Sequence, residues 1–318
     1  MDALVGHTGF VGGNLARQHG FAGLFNSTNI ADIKGAQFET LVCSAVPATM
    51  WLANSNPDAD RTNILALFER LRQVQVDRFV LISTSAVYRD VSCPVDETSN
   101  DFETELAYGS HRRELEYLVT EHFPGALIAR LPALFGAGLK KNFLFDILNP
   151  VPSFLKPEVF DAVLAGATDR QKQFVERAFS MDETTGMWRF ERAEHDHGAG
   201  GAELAEIFEA ASASALQFTH ADSMFQFYGL HRLWQDILCA MDAGIGVLNL
   251  ATEPIRAGDI FQMLKTREMT ARSAPKVLQD MRSCHAGLWA REDGYLYGQE
   301  ATLAALKAFI ATGGGQRV

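Results

Sequence analysis

The sequence has few of the features that mark secreted, metal-binding or membrane proteins. Its 318 residues include four cysteines, and no two of them have the spacing of a metal knuckle or a C-x-x-C motif. We therefore expect free, reduced thiols at all four positions, namely Cys43, Cys93, Cys239 and Cys284. No apolar run approaches the ~20 residues that a membrane-spanning helix needs.

Positive charge is also scarce. The chain has 28 Lys and Arg against 39 Asp and Glu, a net charge of −11, which argues against nucleic-acid binding because that requires a basic face. A local group of basic side chains still suffices to bind an anionic metabolite. The N-terminus lacks the basic and apolar segments of a secretory signal, so we predict a cytoplasmic protein without a membrane partner.

A β-then-α alternation organises the first 135 residues. Short apolar segments predict strands at 3–5, 21–25, 40–46, 78–83 and 126–131. Apolar residues at helical spacing, such as Ile64, Phe68 and Leu71, predict helices between them, at 11–18, from Asn56 and Pro57 onward, and at 106–122. Continuous apolar strands that alternate with helices indicate a parallel sheet covered on both faces.

The alternation stops after Gly136. Residues 140–223 are predicted to be mainly helical, with helices at 153–161 and 203–213 and a glycine-rich break at 198–201. Strands return at 225–228 and 247–250, and a helix at 300–310. We predict an α/β protein: a Rossmann-like doubly wound parallel sheet with a smaller, mainly helical substrate lobe. Residues 1–136 and about 225–250 would form the dinucleotide-binding domain, and about 137–224 with 251–318 the substrate lobe.

A glycine-rich turn follows the first predicted strand and leads into the first helix. Gly6, Gly9 and Gly12 form the pattern G-x-x-G-x-x-G. Such a turn lets main-chain N–H groups approach a pyrophosphate, and the helix N-terminus adds favourable positive potential. A tight turn needed only for packing would have the same glycines. Their place at the first βα junction favours a nucleotide site.

The end of the second predicted strand is where a protein of this kind contacts the adenosine ribose. The chain has Asn26 and Ser27 there, instead of the acid that marks NAD or the arginine that marks NADP. Arg17 or Lys34 would be able to approach a 2′-phosphate. The sequence therefore leaves the choice between NAD and NADP open.

Four segments occur in the order found in one enzyme family: GHTGFVGGNL, LISTSAVY, YGSHRRELE and RLPALFG. Over residues 1–136 they resemble the extended short-chain dehydrogenase/reductase family, in particular its NAD-dependent epimerase/dehydratase branch. The resemblance is weaker over 225–256, and 143–223 match no motif. It implies an NAD or NADP cofactor, a small-molecule substrate such as a nucleotide sugar, and a homodimer that pairs through the helices at 56–74 and 106–122.

The resemblance also implies the catalytic residues. Thr84 would hold the substrate oxygen, and Tyr108 would exchange a proton with it while a hydride moves to or from the nicotinamide. Arg112 stands where the family has lysine; it keeps the positive charge but differs in geometry. Two interpretations stay open: an active oxidoreductase or epimerase, and a non-catalytic NAD(P)-binding scaffold or sensor. Ser85 and Ala86 replace the Asp-Glu pair of related dehydratases, which argues against dehydration.

The resemblance and the glycine turn together define a set of candidate site residues. The predicted cofactor contacts are Gly6, Thr8, Gly9, Phe10, Val11, Gly12, Asn26, Ser27, Ala45, Tyr108 and Arg112. The predicted substrate contacts, for which solvated loops or core packing are equal alternatives, are Lys140, Lys141, Asn142, Gln226 and Arg256. His231 and Arg232 replace paired acids of the family. The segment 194–197 (EHDH) has no distant ligand at suitable spacing, so we predict a solvated loop and no metal.

Overall fold

The structure, a computed structural model, describes residues 1–195 and 198–313. Its strands are β1 (Asp2–Val5), β2 (Gly23–Phe25), β3 (Gln37–Cys43), β4 (Gln75–Thr84), β5 (Leu127–Leu131), β6 (Ala133–Phe135), β7 (Phe154–Leu155), β8 (Phe179–Asp182), β9 (Met187–Phe190), β10 (Met224–Phe225), β11 (Phe227–Gly229), β12 (Val247–Asn249) and β13 (Ile255–Arg256). Its α-helices are α1 (Phe10–Gln18), α2 (Met50–Ser55), α3 (Pro57–Leu71), α4 (Ala107–His122), α5 (Phe143–Leu148), α6 (Pro157–Gly166), α7 (Asp169–Ala178), α8 (Arg192–His195), α9 (Gly198–Ala210), α10 (Leu233–Asp242), α11 (Ala257–Lys265) and α12 (Gln299–Ala311). Within the described residues, no helix combines the length and apolar character needed to cross a membrane.

Six strands form a parallel sheet in the order β2-β1-β3-β4-β5-β12. The chain leaves β1 through α1 to the edge strand β2, and then crosses β1 to reach β3 on its other side. The strand order therefore reverses at β1. In open α/β sheets, ligands bind beyond the carboxyl ends of the strands at such a reversal. Gly6 follows β1 and Ser44 follows β3 at this position.

Helices cover both faces of the sheet, as the apolar strands predicted. On one face, Leu4 and Val80 pack with side chains of α1 and α10, including Trp234. On the other face, Val5 and Leu81 pack with side chains of α3 and α4. Because successive residues of a strand point to opposite faces, strands buried on both sides are apolar throughout. This explains why the strands lack an apolar-polar alternation and confirms the doubly wound α/β prediction.

An ion pair between Glu116 of α4 and Arg130 of β5 is buried against the sheet. Arg130 Nε and Nη2 donate to the two Glu116 oxygens at 3.0 and 2.6 Å, and Ser83 Oγ of β4 donates to Oε1 at 2.5 Å. Arg130 Nη1 donates to the Tyr88 hydroxyl at 2.7 Å, and this hydroxyl lies 2.9 Å from the Asn249 amide nitrogen. All five side chains are buried, so each depends on the others for its hydrogen bonds. The network ties α4 to β4, β5 and β12.

The chain divides into two compact units. The first comprises Met1–Leu139, Met224–Ile255 and the residues from Leu278 onward, and the second comprises Lys140–Ser223 and Arg256–Val277. The sequence analysis had placed everything after 250 in the smaller lobe. The segment after 277 instead joins the first unit, since Met281 pairs with Val95 and the Leu296 N–H donates to the Ala251 carbonyl at 2.8 Å.

The second unit contains a small sheet that the sequence analysis did not predict. Strands β7, β9 and β8 pair antiparallel in that order, and β7 lies where a helix was expected to begin at residue 153. Conversely, Gly198, predicted as a break, begins α9, whose Leu204 and Phe208 are buried in the core of this unit. Strands of two to four residues are too short to show a period, and burial of apolar side chains outweighs the low helix propensity of glycine.

Replacing Glu116 by Gln is expected to lower the free energy of unfolding by about 3 to 5 kcal/mol, because it leaves Arg130 buried without its anion. Urea unfolding followed by circular dichroism measures this loss. The matched control is Glu114→Gln on the same helix, which removes an exposed ion pair with Arg61 and should cost at most about 1 kcal/mol. Equal losses in the two variants would contradict the role given to the buried pair.

Candidate functional site

In the glycine turn after β1, neighbouring main-chain atoms leave no room for a side chain at Gly6 or Gly12. Gly6 has a φ of 92°, and a Cβ added to it would lie 2.8 Å from the Cα of Ala45. A Cβ added to Gly12 would lie 2.2 Å from the Gly6 carbonyl oxygen. Gly9 is the N-cap of α1 and supplies no side-chain hydrogen bond, so the first helical N–H groups lack a capping side chain. This is the arrangement that receives a phosphate at a helix N-terminus.

The predicted contacts Thr8, Phe10 and Val11 lie in this turn or in the first turn of α1. Asn14 of α1, which sequence reasoning missed, links this helix to the segment after β6. The buried Asn14 amide donates to the Ala137 carbonyl at 2.9 Å and accepts the Ala137 N–H at 3.1 Å. A polar residue on the buried face of a predicted helix was the signal that could have revealed it.

The loop after β2 is neutral and bonded to itself. Asn26 Oδ1 accepts the N–H and the hydroxyl of Thr28 at 2.9 and 2.6 Å, and Asn29 Oδ1 accepts the Asn26 N–H at 2.7 Å. Asn26 and Ser27 thus follow β2 at the carboxyl edge of the sheet, as predicted. Arg17 donates to a carbonyl of its own helix. Nothing in this geometry selects between NAD and NADP, so the choice stays open.

The two predicted catalytic segments, around Thr84 and Tyr108, pack against each other. Thr84 ends β4, and its Oγ1 accepts the Ala86 N–H at 3.2 Å, which closes a short 3-10 turn. Tyr108 lies in the first turn of α4, next to Gly109. A Cβ added to Gly109 would lie 2.2 Å from the Ala86 carbonyl oxygen, so only glycine permits this approach of α4 to the turn. The structure therefore brings together segments that are 20 or more residues apart in the chain.

A side chain from α2 caps the start of α4. The N–H of Tyr108 donates to Asn54 Oδ1 at 2.9 Å, while Leu106, the N-cap residue, has no side chain that could accept it. The sequence analysis did not predict α2, because its six residues are too few to show a helical period. Asn54 is thus a further residue that fixes the position of Tyr108.

The guanidinium of Arg112 lies over the ring of Tyr108, with its Cζ 3.9 Å from the ring centroid. Its Nη1 and Nη2 donate to the two oxygens of Asp60 at 2.8 and 3.0 Å. They also donate to the carbonyls of Tyr108 at 3.0 Å and Pro47 at 2.6 Å. The side chains of Arg112 and Asp60 are 4% and 6% exposed. A carboxylate from α3 therefore holds the guanidinium in place, which the sequence did not reveal because Asp60 belongs to another helix.

Asp60 has a second basic neighbour, since His111 Nδ1 lies 2.9 Å from its Oδ2. Burial by itself would raise the pKa of Asp60, but the hydrogen bonds from Arg112 and His111 outweigh it and lower the pKa below its usual value. The carboxyl group is therefore ionised at neutral pH. Arg112 and Asp60 together carry no net charge.

Gln226, a predicted substrate contact, is buried in the first unit and has a structural role. Its Nε2 donates to the carbonyls of Thr252 and Met281 at 2.6 Å each, and its Oε1 accepts the Met281 N–H at 2.8 Å. Both donors of the amide are therefore used by the main chain. The packing alternative that the sequence left open for Gln226 is the one that the structure favours.

His231 and Arg232 form part of a short turn before α10. Arg232 Cζ lies 4.2 Å from the ring centroid of Tyr297. The Tyr297 hydroxyl donates to Asp236 Oδ1 at 2.7 Å, and the Tyr228 hydroxyl donates to Asp236 Oδ2 at 2.5 Å. Asp236 is buried, so this acid serves to satisfy two tyrosine hydroxyls. Arg232, which together with His231 replaces the paired acids of the family pattern, thus packs against the ring of Tyr297.

The other predicted substrate residues belong to the second unit. Asn142 is the N-cap of α5, and its side chain accepts two N–H groups of that helix. Arg256 forms ion pairs with Asp222 and Asp259 at 3.2 and 2.6 Å. Lys140 and Lys141 precede Asn142 and are exposed. Their roles toward a substrate stay predictions.

The segment 194–197, predicted to be a solvated loop without a metal, is only partly described. Residues 194 and 195 lie in α8, so the loop prediction is wrong for them, and residues 196 and 197 lie outside the described residues. A different group of ligand-type side chains was not predicted: in the described part of the chain, atoms of Glu97, Cys284 and His285 lie within 4.8 Å of one another. This group comes together only in the fold.

Hydrogen bonds give Glu97 a structural role in this group. Its Oε1 accepts the Asn249 N–H and the Ser283 hydroxyl at 2.7 Å each, and its Oε2 accepts the Cys284 N–H at 2.8 Å. Burial and the neighbouring carboxylate raise the pKa of the Cys284 thiol to about 11, so it keeps its proton at neutral pH. The cluster thus anchors the segment around Cys284 to the end of β12.

Comparison by sequence finds no matching family model and no matching curated protein. Solved structures do match. A dTDP-4-dehydrorhamnose reductase from Yersinia enterocolitica has a TM-score of 0.56 at 12% identity, with 98% of each chain covered. RMD from Pseudomonas aeruginosa, complexed with NADPH, has a TM-score of 0.53 at 15% identity, covering 96% of this chain and 99% of that one. The enzyme WbmG from Bordetella bronchiseptica, in complex with NAD and UDP, has a TM-score of 0.56 at 13% identity, covering 99% of this chain and 96% of that one.

This chain has the fold of these proteins. The likeness extends over nearly the full length, including the residues that matched no motif in the sequence analysis. It confirms the Rossmann-like α/β fold that the sequence and the family resemblance implied.

The buried carboxyl group of Asp146, in α5, predicts how the stability of the second unit depends on pH. Burial raises the pKa of this carboxyl to about 7, although Arg192 opposes the shift. Since the folded state binds this proton more tightly than the unfolded chain, Asp146 lowers stability as pH rises from its ordinary pKa of 3.8 through about 7. Asp146→Asn is expected to raise the free energy of unfolding at pH 8 by about 1 to 3 kcal/mol and to leave it unchanged at pH 4.

Thermal unfolding at both pH values measures this gain. The control is Asp161→Asn, at an exposed position of α6, which should show no difference between the two pH values. A gain of the same size at pH 4 and pH 8 would mean that Asp146 is not the titrating group.

Proposed function

We propose that this protein is an NAD(P)-dependent oxidoreductase or epimerase that acts on a nucleotide sugar or a similar hydroxyl- or carbonyl-bearing metabolite. One observation carries the proposal: the glycine turn lies where the strand order reverses, Thr84 ends β4, and the start of α4, which carries Tyr108, packs against the turn after Thr84. Similar folds were solved with NADPH, and with NAD and UDP. By this similarity of fold, the proposal is that this chain binds ligands of the same classes.

The residues present fit such a cofactor. The N–H groups at the start of α1 would bind the pyrophosphate, Asn26 and Ser27 would face the adenosine ribose, and Ala45 would adjoin the dinucleotide beside Gly6. A bound nicotinamide supplies or accepts a hydride. The chain's own groups would handle the proton. Thr84 Oγ1 already accepts the Ala86 N–H, which leaves its hydroxyl hydrogen to donate to a substrate oxygen.

Tyr108 would exchange a proton with that substrate oxygen. A phenol held beside the reacting carbon can donate its proton as a hydride arrives, or accept one as a hydride leaves. Arg112 would keep the ring of Tyr108 in place by packing on its face. Ser85 and Ala86 offer no acid or base to remove water, so reduction or epimerisation is favoured over dehydration.

Several finer parts of the proposal stay predictions. They are the choice between NAD and NADP, the cytoplasmic location, and a homodimer that pairs through α3 and α4. The roles of Lys140, Lys141, Asn142 and Arg256 toward a substrate are predictions of the same kind.

Binding of NADH or NADPH is the first test. Titration of the purified protein, followed by nicotinamide fluorescence, is expected to show saturable binding that Gly9→Asp abolishes, because a carboxylate would face the pyrophosphate at the helix N-terminus. The control is Gly20→Asp, at an exposed site beyond the other end of α1 with no atom within 4 Å of an added Cβ. It should bind as wild type does. Loss of binding in both variants, or in neither, would refute the assigned cofactor site.

Tyr108→Phe tests the catalytic assignment. Turnover of the best substrate from a panel of nucleotide sugars should fall by about 10² to 10⁴-fold, because the proton donor is removed while the ring remains. Cofactor binding should be unchanged. Tyr117→Phe, at an exposed position of the same helix, is the control and should retain full activity. Unchanged turnover in the Tyr108 variant would exclude Tyr108 as the proton-exchanging group.

A further inference from the structure

The pair formed by Arg112 and Asp60 lies against the ring of Tyr108. We infer that Asp60, by cancelling the charge of Arg112, keeps Tyr108 protonated, which is the form that can donate a proton to a substrate oxygen. The inference rests on the proposed function for the identity of the reaction. The electrostatic role of Asp60 rests on the geometry alone.

The two terminal nitrogens of Arg112 are fully hydrogen-bonded. Its Nη1 donates to Asp60 Oδ2 and the Tyr108 carbonyl, and its Nη2 donates to Asp60 Oδ1 and the Pro47 carbonyl. All four hydrogens on the two terminal nitrogens are therefore used.

The charges around Tyr108 come from few side chains. Helix α3 contributes Asp60, and α4 contributes Arg112 and His111, both of which bond to that carboxylate. The loop before α4 contributes Glu103, whose carboxylate accepts the N–H groups of Glu105 and Leu106. Neither α2 nor the turn after Thr84 carries a charged side chain. The cation nearest to Tyr108 is thus balanced by an anion that lies at hydrogen-bonding distance.

This balance limits how far Arg112 can stabilise a phenolate at Tyr108. An opposite charge stabilises a phenolate, and a cation already paired with a carboxylate does so much less. In reduction, a hydride adds to the carbonyl carbon, the π pair moves to oxygen, and Tyr108 Oη gives its proton to that oxygen. Solvent then returns a proton to the phenolate.

Phenolate absorbance near 295 nm tests the inference without cofactor or substrate. The full-length protein is titrated with base, and the Tyr108→Phe spectrum is subtracted at each pH to isolate Tyr108. Tyr117, which is exposed, is replaced by Phe in every sample. The remaining tyrosines interfere little, because burial raises the pKa of Tyr88, Tyr228, Tyr295 and Tyr297.

Asp60→Asn removes the compensating charge and leaves Arg112 as an unpaired cation. The Tyr108 phenolate is then expected to appear at a pH at least about one unit lower than in the parent. Asp60→Glu keeps the charge and should titrate as the parent does. A variant with Asn at position 60 that titrates together with the parent would overturn the inference.

A double variant covers the case in which Asp60→Asn fails to fold. Asp60→Leu with Arg112→Met removes both buried charges at once, which proteins often tolerate better than one unpaired charge. Its Tyr108 phenolate should appear at the same pH as in the parent, within about half a unit, because the pair contributes no net charge. A shift to higher pH by one unit or more would show that Arg112 acts uncompensated and would also overturn the inference.

The outcomes separate this inference from the proposed function. If neither NADH nor NADPH binds, the proposed function fails while the titration of Tyr108 still reports on Asp60. If cofactor binds and Asp60→Asn leaves the titration unchanged, the proposed function stands and only the inferred role of Asp60 is lost.

Discussion

The buried ion pair between Glu116 and Arg130 is the constraint on which the placement of the site depends. Removing both charges from water is costly, and the cost is met only because Ser83 and Tyr88 complete the hydrogen bonds. The same helix carries Tyr108 two turns before Glu116, and Ser83 directly precedes Thr84. Locking α4 to β4 and β5 therefore fixes both predicted catalytic residues on a rigid part of the first unit. Small shifts of α4 would break several buried hydrogen bonds at once, which keeps the helix in a single register.

Close main-chain approaches complete this arrangement at the other end of α4. Gly109 allows the helix to touch the turn after Thr84, and Asn54 caps its first turn from α2. The glycine turn makes a similar close approach beyond the end of β3, where Gly6 contacts the main chain at Ala45 without a side chain between them. In both places a glycine, which has no Cβ, allows two segments to come closer than any other residue would permit. The carboxyl edge of the sheet thus gathers the glycine turn and the segments that carry Thr84 and Tyr108.

Arginine at position 112 requires a charged partner, because a guanidinium keeps its proton when it is buried. A guanidinium this deeply buried must be paired, because an isolated charge in the interior costs several kcal/mol. Asp60 provides two oxygens in the planar geometry that suits the fork of Arg112. The pairing secures the fold, and it also changes the electrostatic field at Tyr108. Arginine at position 112 therefore affects both the packing and the charge distribution around Tyr108.

The sequence by itself determined the α/β alternation, the parallel sheet and the glycine turn, because apolar period and glycine spacing are local signals. It also indicated Thr84, Tyr108 and Arg112 through short motifs. The tertiary structure alone decided which side chains meet them: Asp60 and Asn54 come from separate helices and have no spacing that marks them. The short strands β7 to β9 and the helix that begins at Gly198 were likewise decided by packing, since burial of Leu204 and Phe208 outweighs local propensity. Local patterns are written along the chain, whereas a buried charge finds its partner only once the chain has folded.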